Sequence, residues 1–321
     1  MIRTQEQYQE IFSKITLGEL SDQWIEEFLL GLNKDGFSAA AFFGAIQAFK
    51  PLCKKISAPE NSIDVCGTGG DKLNSLNIST AVSLVVSACS VPVAKHGNKA
   101  ISSKSGSADV LSELGINILA EQSEIEKSLR ENNLCFMFAP LYHSSFKAIA
   151  GVRAKLGVPT IFNFLGPLLN PANTAFQLIG TSRKETMIPM LEALKKSGSR
   201  KVFIVHGLDG MDEISISSDS LIAKLEDGKI SEIQTINPEE FGINKSPIES
   251  IKGGDAKYNA AKIIELLDGK RSSYQDIVVL NSAFALLVAG KVLNVQEGIL
   301  MARNALENGQ ARDNFRKLIR K

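Results

Sequence analysis

The stretch VCGTGGDKLNSLNIST, residues 65–80, decides how the rest of the chain is interpreted. A short strand, SIDVC, leads into a glycine-rich turn, and a helix begins near Ser79. Glycine permits positive φ and close approach of a ligand, and backbone N–H groups at a helix start attract anions. The stretch therefore indicates a phosphate site, with a ligand-free turn between strand and helix as the alternative. The residues concerned are Gly67, Thr68, Gly69, Gly70, Asp71, Asn77, Ser79 and Thr80.

Two familiar phosphate-binding motifs are excluded by the residues that follow the glycines. No GK[ST] sequence completes a Walker A loop, and Lys72 stands where GxGxxG requires its last glycine. The turn is therefore either another kind of phosphate site or a turn between strand and helix that binds no ligand.

Composition and net charge give no support to nucleic-acid or membrane binding. The chain has 321 residues, of which 44% are hydrophobic and 22% are charged, as in ordinary globular proteins. This length allows one large domain or two smaller ones, stable without a metal or disulfide. A net charge of +1 gives no overall attraction to nucleic acid or to an anionic bilayer.

The cysteines and the amino-terminal segment point to a reducing compartment. The four cysteines form no CxxC pair, so we expect reduced and mostly buried side chains. The segment MIRTQEQYQE is polar and lacks the apolar core of a signal peptide. No window approaches the roughly 18 to 20 apolar residues of a membrane-spanning helix. We therefore expect a cytoplasmic protein without a membrane segment.

The first sixty residues have the pattern of helices alone. Apolar residues recur at helical spacing, Ser21 and Ser38 are suitable N-caps, and Pro51 is expected to end or kink the third helix. From Ser62 onward, short apolar strands alternate with helical segments, which is typical of a mostly parallel sheet. We include INILA at 116–120 and DEISIS at 212–217 among the extended segments, with a turn at EDGK.

The strand pattern pauses between residues 142 and 172. HSSFKAIAGVRAKLG is predicted as an amphipathic helix, and FNFLGPLLNP as a short helix bounded by prolines. The predicted fold class is α/β, with a small N-terminal helical domain and a large domain around a mostly parallel sheet. The small domain comprises residues 1–60, with 142–172 returning to it, and the large domain comprises 61–141 and 173–321. The cleft between the two domains is the expected site.

A second polar stretch, KHGNKAISSKSGSAD at 95–109, follows the next strand, where open α/β sheets bind their ligands. Its lysines bring positive charge, and its serines and asparagine bring hydrogen-bonding groups. A solvated basic loop is the alternative interpretation. The carboxylate pair Asp212–Glu213 would ordinarily be exposed surface, but beside a polyphosphate it suits magnesium.

Arg153, in AIAGVRAKLG, is the candidate partner for a substrate carboxylate. A lone arginine on a helix usually lies on the surface. If this helix lines the cleft, however, the guanidinium can hold a carboxylate through two hydrogen bonds.

Taken together, these motifs resemble the anthranilate phosphoribosyltransferase family of tryptophan biosynthesis. The resemblance rests on GTGGD with NIST, then KHGN, SGSAD, FMFAP, IFNFLGPLLNPA and the MDE pair, and it extends to GGDAKYNAAKI and GILMARNALENGQA. It covers nearly the whole chain. The order and spacing of the set are specific, although each element alone would be weak.

The resemblance implies a homodimeric transferase that moves a phosphoribosyl group from 5-phosphoribosyl 1-diphosphate to anthranilate, with up to two magnesium ions per subunit. For the ribosyl diphosphate it implies Gly67, Thr68, Gly69, Gly70, Asp71, Asn77, Ser79, Thr80, Lys95, Asn98, Ser103 and Ser107. For anthranilate it implies Gly67, His96, Asn98, Arg153 and Pro167, and for magnesium Ser79, Asp212 and Glu213. No catalytic base is assigned, and His96 is only a weak candidate.

Three positions depart from the commonest pattern of the family. Lys99 stands where arginine is usual, Ser144 where proline is common, and Ala154 where a second basic residue is frequent. These departures bear on substrate affinity more than on the type of reaction.

Two other functions remain as alternatives. A pyrimidine nucleoside phosphorylase shares the implied fold, but GTGGD and the Asp212–Glu213 pair argue against it. A non-catalytic nucleic-acid-binding relative would need a basic surface and a degraded magnesium site, which the net charge and the intact carboxylates disfavour.

Overall fold

The computed structural model describes residues 3–100 and 104–319. The chain begins with three helices, α1 (Gln5–Leu17), α2 (Asp22–Asp35) and α3 (Ala39–Phe49). The hydroxyls of Ser21 and Ser38 cap α2 and α3 as predicted, because each accepts a hydrogen bond from an N–H in the first turn. The third helix ends at Phe49, two residues before Pro51, also as predicted.

A single sheet organises the rest of the described chain. Its strands are β1 (Ile63–Gly67), β2 (Val93–Gly97), β3 (Leu134–Phe138), β4 (Phe176–Gly180), β5 (Lys201–Gly207), β6 (Ser220–Glu226), β7 (Lys229–Ile230) and β8 (Gln234–Ile236). Their order is β3-β2-β1-β4-β5-β6-β7, with β8 also paired to β6. The first five strands are parallel, whereas β6, β7 and β8 pair in antiparallel fashion.

Helices connect the strands and cover the sheet. They are α4 (Ile78–Ala88), α5 (Ser107–Glu113), α6 (Gln122–Asn132), α7 (Ala139–Tyr142), α8 (Ala150–Leu156), α9 (Met187–Lys196), α10 (Ala256–Leu267), α11 (Ser273–Val288), α12 (Val295–Glu307) and α13 (Gln310–Ile319). Short 3-10 helices span Lys50–Leu52, Ser144–Ile149, Ile161–Asn163, Gly166–Leu169, Lys184–Thr186, Pro238–Phe241 and Ile248–Ile251. The mixed architecture with a mostly parallel sheet confirms the predicted fold class.

The two faces of the sheet bury different sets of side chains because side chains alternate along a strand. On β1, Ile63 and Val65 join a core that includes α4, α11 and α12. Cys66 faces the other way, into a core shared with α1, α3, α9 and the segment 149–169. Asp64 also points to that second face and is fully buried there.

Two predicted extended segments are wrong. INILA forms no strand, since the sheet ends at β3 and residues 116–120 form a turn before α6. DEISIS is also not a strand, because the Asp209 carboxylate accepts hydrogen bonds from the hydroxyls of Ser215 and Ser217 and folds the segment into local turns. The antiparallel strand begins at Ser220, and the turn predicted at EDGK joins β6 to β7.

The helix predicted over HSSFKAIAGVRAKLG is divided into two parts. Residues Ser144–Ile149 form a 3-10 helix, and α8 follows until Gly157, whose positive φ of 61° ends it. After α12, the described chain continues into α13, which packs on α4 through hydrogen bonds from Gln310 and Asn314.

All four cysteines are unpaired, and three of them are buried, as the sequence predicts. Within residues 3–100 and 104–319, no helix combines the length and the apolar composition needed to cross a bilayer.

Candidate active site

The glycine turn after β1 is held open at the carboxyl end of the sheet. Gly69 and Gly70 adopt φ values of 70° and 83°, which favour glycine. Thr68 N donates to Gly180 O on β4 at 2.9 Å, and Ser182 N donates to Thr68 Oγ1 at 3.2 Å. The turn is therefore fastened to β4 while its two exposed glycines remain accessible.

Asp212 lies directly against this turn. Its Oδ2 accepts a hydrogen bond from Gly69 N at 2.7 Å. A Cβ on Gly67 would overlap the Asp212 carboxylate, and a Cβ on Gly180 would overlap its backbone carbonyl. Glycine at these two strand ends therefore makes room for the carboxylate to approach the turn.

Asp71, Asp212 and Glu213 form an acidic cluster, with carboxylate oxygens within 4.8 Å of one another. Burial, together with the Asp212 charge, raises the pKa of Asp71 to about 7. Burial also raises the pKa of Asp212, although its hydrogen bonds with Gly69 N, Asp71 and Glu213 oppose that shift. Burial, together with the charges of Asp212 and Asp71, raises the pKa of Glu213 well above its ordinary range. Among the described residues, Glu213 Oε2 is buried without a hydrogen-bond partner. Three hard oxygen ligands that repel one another fit a magnesium ion.

The start of α4 faces the same region. No side chain caps this helix, so the N–H groups of its first turn lack a capping acceptor. Asn77, which precedes the helix, is fixed by its neighbours: Asn259 Nδ2 donates to Asn77 Oδ1 at 2.8 Å, and Tyr274 OH donates to the Asn77 carbonyl at 3.2 Å. Asn77 Nδ2 in turn donates to Ser105 O at 3.3 Å, which links the two predicted loops.

Lys95 and His96, which the sequence analysis includes in the second loop, instead belong to β2 and are buried. Lys95 Nζ donates to Val65 O at 2.7 Å and to Ser79 Oγ at 3.2 Å. Burial lowers the pKa of Lys95, and the Asp64 carboxylate opposes that shift. The ammonium is thus fixed beneath the start of α4 rather than carried on a mobile loop.

The remainder of the second loop is organised by Asp109. Its Oδ2 accepts hydrogen bonds from Ala100 N and Gly106 N, both at 2.9 Å. Asn98 is exposed, and its carbonyl accepts a hydrogen bond from Ser107 Oγ at 3.3 Å. Thr80 is buried at the first turn of α4. Ser103, also predicted to bind the ribosyl diphosphate, lies outside the described residues.

His96 contributes to a buried polar contact rather than to the open turn. Its Nε2 lies 3.1 Å from His143 Nε2, and its ring hydrogen-bonds the backbone of Gly166. Burial, with the neighbouring His143, lowers the pKa of His96 to about 3, and burial lowers that of His143 to about 4. A neutral imidazole of such low basicity is a poor proton acceptor at neutral pH.

Pro167 and Arg153 lie on the segment that returns to the N-terminal helices. Pro167 is buried, and its carbonyl accepts a hydrogen bond from Gln177 Nε2 on β4 at 2.8 Å. The Arg153 guanidinium lies 6.0 Å from the centre of the Phe162 ring, and burial lowers its pKa. Among the described residues, Arg153 is in no ion pair, so its charge has no carboxylate partner.

Several polar residues that shape this region were not singled out from the sequence. Asp64, Asn170, Asn259 and Tyr274 lie far apart along the chain. IFNFLGPLLNPA contains Asn170 and GGDAKYNAAKI contains Asn259, but neither motif indicated a role for that residue. Their contacts form only when distant strands and helices meet. The position of Asp64, three residues before Gly67, is the one local signal available.

Comparisons with known proteins agree with this geometry. A family model described as "Glycosyl transferase family, a/b domain" matches residues 59–312. An anthranilate phosphoribosyltransferase from Xanthobacter autotrophicus is 42% identical over 309 residues, covering 96% of this chain and 90% of the relative.

The structure of this chain is also similar to solved structures of other proteins. An anthranilate phosphoribosyltransferase from Thermus thermophilus has a TM-score of 0.93 at 32% identity, covering 99% of this chain and 95% of the other. One from Saccharomyces cerevisiae, in complex with PRPP and Mg, has a TM-score of 0.89 at 26% identity, covering 98% and 92%.

Proposed function

The chain belongs to the anthranilate phosphoribosyltransferase family, and from that membership we propose how its residues carry out the reaction. The enzyme transfers the 5-phosphoribosyl group of 5-phosphoribosyl 1-diphosphate to the amine of anthranilate. The products are N-(5-phosphoribosyl)anthranilate and diphosphate, in tryptophan biosynthesis. One observation carries the proposal: the Asp212 carboxylate is bonded to the glycine turn, so the acidic cluster and the phosphate site are one unit.

The ribosyl diphosphate is proposed to bind between the glycine turn and the start of α4. The open glycines and the uncapped helix start offer backbone N–H groups to phosphate oxygens. Lys95 provides a buried positive charge beside Ser79. The proposed contact set remains Gly67, Thr68, Gly69, Gly70, Asp71, Asn77, Ser79, Thr80, Lys95, Asn98, Ser103 and Ser107.

Magnesium is the metal that this chemistry uses. Ser79, Asp212 and Glu213 are proposed to hold it, and the geometry adds Asp71 to this set. When bound, magnesium supplies positive charge that favours departure of the diphosphate. We also propose that up to two magnesium ions bind per subunit, because the three clustered carboxylates can provide enough negative charge for them.

Anthranilate is proposed to bind on the side of the returning segment. Arg153 is a half-buried cation without a carboxylate partner among the described residues, so it suits the substrate carboxylate. Gly67, His96, Asn98 and Pro167 complete the proposed set, with Pro167 held in place by Gln177.

The chain promotes the reaction mainly through charge and alignment. As the C1–O bond breaks, positive charge develops on the ribose and negative charge on the diphosphate. Backbone N–H groups of the turn and of α4 stabilise the negative charge. Holding the amine in line with C1 can lower the barrier by several kcal/mol. An aniline-type amine loses its proton readily once bonded, so no strong general base is required, and the low basicity of His96 agrees with this.

The arrangement of domains, the assembly and the location are also proposed. Residues 1–60 and 142–172 are the small domain, and 61–141 with 173–321 are the large one. The small domain is proposed to form a homodimer, because Leu17, Trp24 and Leu30 on its helices are more than one-third exposed. The cytoplasm is the proposed location, because one of the two substrates, 5-phosphoribosyl 1-diphosphate, is a highly charged metabolite.

The function is tested by following anthranilate fluorescence in the presence of 5-phosphoribosyl 1-diphosphate and magnesium. The signal should fall only when all three are present with the enzyme. Phosphate-dependent cleavage of pyrimidine nucleosides, without loss of anthranilate, would instead indicate the phosphorylase. A salt-dependent DNA mobility shift without turnover would indicate the nucleic-acid-binding alternative.

A further inference from the structure

We propose that Asn170 is a positioning residue which, through Asp64, holds the anthranilate side of the site in register with the strands that carry the phosphoribosyl side. The inference rests on the proposed function, because it concerns the alignment of the two substrates of that reaction. It gives a role to two residues, Asp64 and Asn170, to which neither the motifs nor the resemblance assigned one.

The Asn170 amide has both of its N–H groups and its oxygen engaged. Nδ2 donates to Asp64 Oδ2 at 2.6 Å and to Ala94 O at 2.9 Å, and Oδ1 accepts from Ala172 N at 2.8 Å. Asn170 is 7% exposed. The amide orientation is fixed, because rotating it by half a turn would direct N–H groups at the Ala172 N–H and an oxygen at two acceptors.

Asp64 gives this contact a carboxyl partner beneath the site. It is fully buried on β1, three residues before Gly67. Its Oδ1 accepts a weaker hydrogen bond from His96 N on β2 at 3.4 Å. Burial raises the pKa of Asp64, and Lys95 and the Asn170 amide oppose that shift. Asp64 thus joins β1, β2 and Asn170 at one point.

Asn170 is the C-terminal attachment of the short helix Gly166–Leu169, which contains Pro167. The other attachments of this helix are neutral: Gln177 donates to Pro167 O at 2.8 Å, and His96 hydrogen-bonds Gly166. Among residues 3–100 and 104–319, only Asn170 connects this short helix by a side-chain hydrogen bond to a carboxylate on β1, the strand that leads into the glycine turn. Its position therefore controls the distance between the proposed anthranilate contact and the phosphoribosyl site.

Loss of this link should harm alignment more than affinity. Misplacing a reactant by about 1 Å can reduce a rate by about 100-fold, even when the change lies away from the reacting atoms. The ribosyl diphosphate contacts proposed on the glycine turn and α4 do not touch Asn170, which reaches β2 only through the backbone carbonyl of Ala94. The expected signature is a fall in kcat with a nearly unchanged dissociation constant for the ribosyl diphosphate.

The test begins with Asn170→Ala. We expect kcat to fall at least tenfold, while calorimetry gives a dissociation constant for 5-phosphoribosyl 1-diphosphate within about threefold of wild type. Asn314→Ala is the matched control, because Asn314 donates two side-chain hydrogen bonds at a distance from the cleft. It should lower the melting temperature without lowering kcat. If Asn170→Ala also lowers only the melting temperature, the proposal is overturned.

If Asn170→Ala does not fold, a second experiment exchanges the residue types at positions 64 and 170, which leaves the total charge unchanged. Asp64→Asn alone places two amide groups in contact, and Asn170→Asp alone places two carboxylates in contact. The double variant restores one donor and one acceptor with the same total charge, so its kcat should exceed that of either single variant. A double variant no more active than the worse single variant overturns the proposal. Absence of turnover in the wild type would instead overturn the proposed function.

Discussion

Asp212 accepts a hydrogen bond from the backbone N–H of Gly69, although the two residues are 143 positions apart. This bond joins the acidic cluster to the glycine turn before any substrate is present. A diphosphate entering the turn would meet backbone donors on one side and a carboxylate cluster on the other. Because like charges repel, a cation between the cluster and the phosphates is a requirement of this geometry.

Removal of the carboxylate charges should abolish most of the activity. Asp212→Asn combined with Glu213→Gln keeps the side-chain sizes but removes two of the three hard ligands. We expect kcat/KM to fall by at least 100-fold across a magnesium titration. Asp219→Asn, which alters an exposed carboxylate paired with Lys245, is the control and should remain active. Normal turnover in the double variant would exclude the assigned metal role.

Substitution of Gly67 should displace Asp212. A Cβ at this position overlaps the carboxylate, so Gly67→Ala is expected to reduce kcat/KM at least tenfold. Gly31→Ala is the matched control, since its Cβ meets no atom within 4 Å and it lies inside α2. Replacing this helical glycine should leave activity intact and stabilise the protein by up to about 1 kcal/mol. Equal activity of the two variants would show that Asp212 tolerates displacement.

Substitution of Gly69 should separate phosphate binding from folding. Its Cβ would point into open space, but φ is 70°, so valine there is both strained and projected towards the exposed turn. We expect Gly69→Val to weaken binding of 5-phosphoribosyl 1-diphosphate at least tenfold, with a much smaller effect on the melting temperature. Calorimetry measures the affinity for 5-phosphoribosyl 1-diphosphate, and thermal unfolding of the same sample measures the melting temperature. An unchanged affinity in the folded variant would mean that the turn does not contact phosphate.

Arg153→Ala should raise the KM for anthranilate about tenfold or more, if a charged hydrogen bond of about 1.5–3 kcal/mol is lost. The KM for the ribosyl diphosphate should change far less, because its proposed contacts lie on the two loops. Arg153→Lys should recover only part of the affinity, since an ammonium cannot form the two-pronged contact. Initial rates with each substrate varied in turn measure both constants. An equal rise for both substrates would point to a collapsed cleft instead.

Magnesium affinity should weaken as the pH falls. The pKa of Asp71 is raised to about 7 by burial and by Asp212, so this group is protonated below pH 7 and must lose its proton to bind metal. For one such proton, the dissociation constant for magnesium should increase about tenfold between pH 8 and pH 6. Isothermal titration of the substrate-free protein at several pH values measures this. Asp71→Asn should flatten the dependence, and a flat profile in the wild type would contradict the coupling.

Features of this structure that depend on residues close together in sequence were predicted correctly, whereas features that depend on distant residues were not. The caps at Ser21 and Ser38, the end of α3 before Pro51 and the turn after Glu226 depend on neighbours within a few residues, and all were predicted. INILA has the composition of a strand, but it pairs with none of the strands of the sheet. An apolar run thus indicates burial, whereas pairing depends on the rest of the fold.

In the site, too, residues in short motifs could be predicted, whereas contacts between distant residues could not. The motifs indicated the glycine turn and the Asp212–Glu213 pair, because phosphate and magnesium require these residue types at short spacing. The contact between Asp64 and Asn170 spans 106 positions, and the segments SIDVC and IFNFLGPLLNPA that contain them do not indicate that the two side chains meet. Likewise, the clustering of Asp71 with Asp212 and Glu213 becomes evident only when β1 and the segment after β5 lie side by side.

The order of the strands has a consequence for how the protein folds. β1 pairs with β2 on one side, but its other neighbour, β4, is synthesised more than one hundred residues later, with Ile63 opposite Phe176. Closing so long a loop costs entropy before any contact compensates it, which slows folding. A nascent chain that has emerged only through β3 carries most of the phosphate-binding motifs, yet one side of its central strand is unpaired. The edge of β1 is therefore exposed to mispairing until β4 emerges, and this interval is where a chaperone would be most useful.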